Sequence, residues 1–94
     1  MHAVIVNVTL AGEQADATLK MLREQTVPRV RQMPGVVKGY WTRSADGTHG
    51  TSIVVFASKQ NAEDAAVIVR STAPPSVTID SIEVREVIAE LSTA

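Results

Sequence analysis

The stretch Val30–Trp41, with the sequence VRQMPGVVKGYW, decides the fold of this chain. Pro34 cannot continue a helix, and Gly35 can adopt the left-handed backbone conformation that closes one. The residues that follow lead into the only Tyr and the only Trp of the sequence, Tyr40 and Trp41. A helix is therefore predicted to end at this turn, and a strand is predicted to begin directly after it.

Upstream of the turn, mostly apolar residues recur at spacings of three and four, which predicts the buried stripe of a helix. The stripe consists of Ala15, Leu19, Leu22, Thr26, Val30 and Met33. Pro28 lies within it, and a proline removes one helical hydrogen bond and crowds the preceding turn. Because the stripe keeps its phase through Pro28, we expect a kink or a restart of the helix there and not a long loop.

Alternation of side chains predicts the first strand and the hairpin. In the first strand one face carries Val4, Val6, Val8 and Leu10, and the other carries Ile5, Asn7 and Thr9. Asp46-Gly47 is a strong hairpin signal between strands predicted over Val36–Arg43 and Thr51–Ala57. A two-residue loop there places Trp41 opposite Ser52 and Tyr40 opposite Ile53. One face of the hairpin then carries Val37, Gly39, Trp41, Ser52, Val54 and Phe56, and the other carries Val36, Lys38, Tyr40, Thr51, Ile53 and Val55.

The last third of the chain predicts a second helix and a long strand. Ser58 is a suitable N-cap for the helix, whose small buried residues allow a close approach to the sheet. A final strand is predicted over Val77–Leu91. Ile79 and Ile82 are out of alternation in this strand, so a bulge is expected near Asp80-Ser81.

Composition sets bounds on the class of protein. The chain has 94 residues, a hydrophobic content of 45%, a net charge of −1 and no cysteine. This length predicts one domain, 1–94, and the charge favours neither nucleic acid nor a membrane as a partner. Two isolated histidines without cysteine do not make a metal site. The N-terminus lacks the basic region of a signal peptide, so a cytoplasmic location is the expectation.

The order of elements, βαββαβ, predicts a ferredoxin-like α+β fold, in which a four-stranded antiparallel sheet carries two helices on one face. The first and third strands are apolar on both sides, so helices on one side leave apolar surface uncovered. An exposed apolar face of several hundred Å² is rare in monomers. A homodimer that packs sheet on sheet is therefore predicted.

Four motifs carry a resemblance to a known family: Val27–Val30, Met33–Val36, Gly39–Trp41 and Ser52–Phe56. Together with the order of elements, they make nearly the whole chain similar to the dimeric α+β barrel superfamily, and within it to the antibiotic-biosynthesis-monooxygenase-like domains. The superfamily includes cofactor-free monooxygenases that act on polycyclic phenols, haem-degrading monooxygenases, small isomerases and lyases, and members without known activity. These motifs specify the fold and the dimer more than the function.

The resemblance implies a set of candidate site residues. Quinone-forming monooxygenases line a pocket with Asn, Trp, Tyr and Arg, which makes Asn7 and Trp41 candidate catalytic residues and Tyr40 and Arg43 candidate substrate-binding residues. By the predicted pairing, Tyr40 and Trp41 point to opposite faces, so at most one of them lines a given pocket. Haem-degrading members use an Asn that Asn7 matches, but His49 lies in the hairpin turn and Trp41 comes too early in the chain, which disfavours haem ligation.

Each candidate also has a purely structural interpretation. Asn7 is expected either to contact a ligand or to be hydrogen-bonded within the sheet, and Trp41 either to stack on a ligand or to pack in a core or dimer interface. His49 is either an exposed turn residue or a substrate-binding group. The basic residues of the central stretch either pair with acidic residues on a solvated surface or form an anion-attracting mouth for a carboxylate or phenolate. These residues are Arg29, Arg31, Lys38 and Arg43.

Three functional hypotheses follow. The first is a cofactor-independent monooxygenase-like enzyme acting on a small aromatic or phenolic substrate. The second is a non-catalytic dimeric barrel that binds a small apolar ligand or has a stress-related role. The third is a haem-degrading monooxygenase. A cavity with Asn7 exposed to it would favour the first hypothesis, and an Asn7 that is fully bonded to protein would count against it.

Overall fold

The computed structural model describes residues 1–10, 15–73 and 77–93. The strands are β1 (His2–Leu10), β2 (Val36–Arg43), β3 (His49–Phe56) and β4 (Val77–Glu86), and the helices are α1 (Ala15–Met21), α2 (Val27–Arg31) and α3 (Lys59–Thr72). A π-helical segment, Leu22–Thr26, joins α1 to α2. The strands form one antiparallel sheet in the order β2-β3-β1-β4. This is the predicted ferredoxin-like α+β arrangement.

The register of the central hairpin is the one predicted from Asp46-Gly47. Trp41 pairs with Ser52 and Tyr40 pairs with Ile53. The connection is longer than two residues, because the last bond of the ladder runs from the Ser44 N–H to the His49 carbonyl, and Gly47 adopts the left-handed conformation within the turn. The prediction for Val36 and Val37 was wrong. A bulge shifts the register between Val36 and Lys38, so Val36 packs against the core and Val37 is exposed.

Strand β4 contains the predicted bulge but is shorter than predicted. Asn7 pairs with Ser81 and Val8 pairs with Ile79, which leaves Asp80 as the extra residue. The strand ends at Glu86 and not at Leu91. Just after the strand, the Val87 N–H still donates to the carbonyl of Met1.

The first helical run continues past Pro28 by changing its hydrogen-bond pattern. The Val27 N–H donates to the carbonyl of Leu22, five residues back, so the chain makes a wide π-helical turn before α2 begins. Pro28 then occupies the first turn of α2, where its missing N–H costs little. The wide turn contains one residue more than an α-helical turn, and it rotates α1 relative to α2. At the end of α2, Gly35 has a φ of +77°, as the Pro34-Gly35 turn predicts.

The core lies between one face of the sheet and the helices. It combines strand residues with Val30 of α2 and the small residues Ala62 and Ala65 of α3. The strand residues are Val4, Val6, Val54 and Phe56. Ser58 caps α3 as predicted, because its hydroxyl accepts a hydrogen bond from the Asn61 N–H at 3.1 Å. Within the described residues, no helix has the length and apolar character needed to cross a membrane.

The other face of the sheet, which we call the open face, carries no helix of the described chain. Val54 is buried under the helices, whereas its neighbour Ile53 is 37% exposed and belongs to the open face. Tyr40 and Val37 are more exposed still. Beyond β4, the apolar side chains of Ile88 and Leu91 are almost fully exposed. The chain therefore leaves apolar surface uncovered on the open face and in the segment after β4.

Candidate functional site

A cavity of about 200 Å³ lies between the helix-covered face of the sheet and the run from α1 to α2. Strands β1 and β4 contribute Val6, Val8 and Ile79, and the π-helical segment contributes Leu22 and Thr26. Further wall residues come from both sides of that segment and from β2 and β3, and they include Thr18, Leu19, Met21, Met33, Trp41, Gly50 and Ser52. The wall is mostly apolar, and this is the usual character of small-molecule sites.

Trp41 gives the cavity its single aromatic wall residue among the described residues. Its side chain is half-buried, and it lies beside Ser52, with which it pairs across the hairpin. Gly39, two residues earlier on the same face, makes room for the indole ring. A Cβ at Gly39 would stand 3.2 Å from the ring and 3.2 Å from Val54. Strand β2 therefore holds the indole ring against the sheet with one edge on the cavity.

Two arginines supply the charge of the cavity wall. Arg43 stands at the end of β2 and Arg29 on α2, and both are exposed residues that also line the cavity. No acidic residue is found among the described residues of the wall. The ion pairs of the described chain lie elsewhere, between Lys59 and Glu63 and between Glu83 and Arg85. The wall of an apolar cavity therefore carries two guanidinium groups that form no ion pair with a carboxylate of the described residues.

Asn7 does not reach this cavity. It lies on the open face, where the Thr51 hydroxyl donates to its Oδ1 at 2.7 Å and its Nδ2 donates to the Ser81 hydroxyl at 3.0 Å. Thr51, Asn7 and Ser81 belong to three adjacent strands, so the amide forms a polar ladder across β3, β1 and β4. Of the two interpretations of Asn7, a ligand-contacting residue or a residue hydrogen-bonded within the sheet, the structure shows the second. Asn7 is not a residue of the cavity wall.

Tyr40 and His49 also lie outside the cavity, on the open face. Tyr40 is 62% exposed and pairs with Ile53. His49 is exposed, with its Nδ1 3.4 Å from the Thr9 hydroxyl. In the turn before it, Asp46 accepts hydrogen bonds from the Ser44 hydroxyl and from the backbone and hydroxyl of Thr48, which hold the pKa of Asp46 well below its ordinary range. Of the five residues that the sequence suggested for the site, Trp41 and Arg43 line the cavity and the other three do not.

Sequence reasoning missed the contribution of the π-helical segment and its neighbours. Leu22 and Thr26 were expected only as part of a buried stripe, and Thr18 and Met21 were not expected to face inward. The sequence signal for a π-helical segment is Pro28 within a helix whose apolar stripe continues past it. An extra residue in the turn accommodates the proline and also keeps the stripe in phase. Arg29 was noted for its charge but was not expected to line a cavity together with Arg43.

Solved structures share this fold, whereas no protein-family model and no curated protein matches the chain. HapK from Hahella chejuensis has a TM-score of 0.77 at 15% identity, over 100% of this chain and 99% of HapK. The haem degrader MhuD from Mycobacterium tuberculosis, solved with two haems in its active site, has a TM-score of 0.77 at 15% identity, over 98% and 100% of the two chains. A monooxygenase from the gene ActVA-Orf6 of Streptomyces coelicolor, in complex with nanaomycin D, has a TM-score of 0.61 at 16% identity, over 98% and 92%.

The chain thus has the ferredoxin-like α+β fold that these solved structures share. The residues of the cavity do not fit a haem group. Imidazole is the ligand expected for haem iron in such a site, and neither histidine belongs to the described wall. His49 lies on the open face, and His2 is at the opposite end of β1 from the cavity. The described wall of the cavity therefore offers no imidazole to hold haem iron.

Proposed function

We propose that this protein binds a small aromatic molecule in the cavity between the sheet and the helices. The observation that carries the proposal is an apolar cavity of about 200 Å³ with the only Trp of the chain in its wall. Ligand pockets for drug-sized molecules have volumes of about 300–1,000 Å³, so this cavity suits a smaller body of one or two rings. Trp41 would contact the rings, since aromatic pairs gain more than their buried area alone provides.

Titration with 2-naphthol tests this proposal. Because the chain has a single Trp, an ¹⁵N-labelled sample gives one indole N–H resonance, and we expect that resonance and the amides of Val8 and Leu22 to shift. Val8→Phe adds bulk to the cavity wall and is expected to weaken binding strongly. Val67→Phe is the matched control, because Val67 is 69% exposed on α3 and is remote from the wall. Equal binding by both variants would refute the proposal.

A second candidate function is cofactor-independent oxygenation of the bound ligand. The fold shared with a monooxygenase and the position of Trp41 in the cavity favour it. With 1-naphthol as substrate, the reaction consumes one dioxygen. One oxygen atom enters the ring to give 1,4-naphthoquinone, and the other leaves as water, so no external reductant is needed.

Quinone absorbance and dioxygen uptake measure this activity without added metal or reductant. We expect Trp41→Phe to lower the rate and Tyr40→Phe to leave it unchanged, because only Trp41 lines the cavity. Asn7 is not a wall residue, so of the two residues that motivated the enzyme hypothesis, Asn7 and Trp41, only Trp41 lines the cavity. A rate no greater than that of buffer would leave ligand binding as the function of the site.

We also propose that residues 1–94 act as a single domain and that the domain forms a homodimer through its open face. The support is the apolar surface that the helices leave uncovered, at Ile53, Tyr40 and Val37, and in the segment after β4 at Ile88 and Leu91. A second copy offers the same surface in return, as a twofold interface requires. The cavity lies on the other side of the sheet, so each protomer keeps its own site.

A further inference from the structure

We propose that the ligand of the cavity is an aromatic carboxylate, whose acid group is bound at the rim by Arg43 and Arg29. This inference rests on the proposed function, because it names the chemical class of the molecule in that same cavity. It begins from the charges of the wall: two guanidinium groups and, among the described residues, no acidic side chain. The rest of the wall is mostly apolar.

Within the part of the chain that the structure describes, the two arginines have no acidic partner and are available to a ligand. No described ion pair includes either of them. Both are exposed residues, so their charged ends meet solvent at the rim while the apolar wall lies deeper. Positive charge that borders a low-dielectric cleft attracts anions and raises their local concentration. A neutral ligand would gain no charge–charge attraction from the two arginines.

The chemistry of the guanidinium group favours a carboxylate over other anions of this size. Arginine presents donors in a planar fork that matches the two oxygens of a carboxylate. A carboxylate is ionised at neutral pH, since its ordinary pKa is about 4. A phenol has an ordinary pKa of about 10, so it is mostly neutral and offers one oxygen. An aromatic acid therefore contacts the apolar wall with its ring and the two arginines with its carboxylate.

The placement of Trp41 and Arg43 on one strand supports the same orientation of the ligand. The two residues are separated by one position on β2 and both face the cavity. Arg43 lies nearer to the end of the strand, opposite Gly50, and Trp41 lies farther inward, opposite Ser52. A ligand that stacks its ring near Trp41 thus points its acid group toward the end of β2, where Arg43 stands.

Paired titrations with 2-naphthoate and 2-naphthamide test the inference, because the two probes have nearly the same shape and differ in charge. The indole resonance of Trp41 reports binding of both. We expect 2-naphthoate to bind at least about tenfold more tightly, as a charge-assisted hydrogen bond provides. Arg43→Gln and Arg29→Gln should each lower the affinity for 2-naphthoate much more than the affinity for 2-naphthamide, and so remove most of that preference.

Arg31→Gln is the matched control. Arg31 belongs to the same helix as Arg29 and is exposed, but it does not line the cavity. It removes one positive charge from the molecule, so a loss of preference equal to that of Arg29→Gln would mean that only the overall field matters and would overturn the inference. Retention of the preference in Arg31→Gln, with its loss in the two wall variants, supports it.

The probes separate this inference from the proposed function. Equal affinity for 2-naphthoate and 2-naphthamide would overturn the carboxylate assignment and leave the aromatic cavity in place. Failure of both probes and of 2-naphthol to shift the indole resonance would overturn the proposed function as well. Raising the salt concentration should weaken 2-naphthoate binding and leave 2-naphthamide binding nearly constant, because charges at an exposed rim are screened.

Discussion

Gly35 and Gly47 have nearly the same backbone torsion and very different surroundings. Their φ angles are +77° and +76°, so an L-residue at either position is strained. A Cβ at Gly47 would meet nothing within 4 Å, whereas a Cβ at Gly35 would overlap the side-chain amide of Asn61 on α3. Alanine substitutions at the two glycines therefore separate two costs. Both substitutions cause backbone strain, and only the one at Gly35 also disturbs the contact between the Pro34-Gly35 turn and α3.

We expect Gly47→Ala to lower the free energy of unfolding by about 1–2 kcal/mol, the cost of a left-handed alanine. Gly35→Ala should cost at least about 1 kcal/mol more, because Asn61 must also move. Urea denaturation measures both values. The double variant Gly35→Ala with Asn61→Ala should recover the difference, and equal losses for the two single variants would show that the contact with α3 is unimportant.

Asp46 makes the hairpin turn sensitive to acid. Hydrogen bonds from the Ser44 hydroxyl, first, and then from Thr48 hold its pKa well below the ordinary value. A lowered folded-state pKa stabilises the fold above pH about 4 and loses that contribution as the pH falls. Between pH 7 and pH 3, the unfolding free energy of the wild type should therefore fall more than that of Asp46→Asn, as measured by urea denaturation. Ser44→Ala should show an intermediate pH dependence.

At the scale of the elements, Asn7 ties three strands together and is not expected to serve the cavity. Asn7→Ala removes two hydrogen bonds of the ladder and should lower the unfolding free energy by about 1–2 kcal/mol. Because Asn7 lies on the other face of the sheet, the affinity for 2-naphthol should stay the same. A loss of binding by a folded Asn7→Ala variant would restore Asn7 as a site residue.

The elements also show what the sequence could predict. Local signals were sufficient for the hairpin register, because Asp46-Gly47 limits the possible pairings, and for the bulge at Asp80, because two isoleucines break the alternation. The alternation of β1 also predicted that Asn7 lies on the opposite face of the sheet from Val6 and Val8. It did not reveal which face the cavity would occupy, since both faces carry apolar residues. That choice depends on where the helices pack.

The π-helical segment was beyond sequence reasoning for a related reason. A stripe with spacings of three and four tolerates one extra residue, so the same pattern fits a kink, a restart or a wide turn. Only the packing of α1 and α2 on the sheet distinguishes them. The cavity wall depends on this choice, because Thr18 and Met21 line it in the structure. Trp41 and Arg43, which the sequence suggested, line the cavity, whereas the sequence left its opposite wall undefined.

At the scale of the whole molecule, the open face decides the assembly. Ile53→Asp places a charge in the proposed interface and should shift the protein from dimer to monomer, with a cost of about 3 kcal/mol or more for an unpaired buried charge. Sedimentation velocity at micromolar concentration measures this. Val67→Asp is the control, because Val67 is exposed on α3, on the far side of the sheet. A wild-type chain that sediments as a folded monomer would refute the dimer.

The π-helical turn between Leu22 and Thr26 has a consequence for how a ligand enters. Its Val27 N–H is bonded five residues back, and Pro28 has no N–H to donate, so we expect this part of the wall to open more readily than a regular α-helix. Amide hydrogen exchange should then be fastest there, with slower exchange in the strands opposite. The π-helical turn that shapes the cavity would then also be the entrance for ligands. The rate at which this turn opens would limit how fast ligands bind and dissociate.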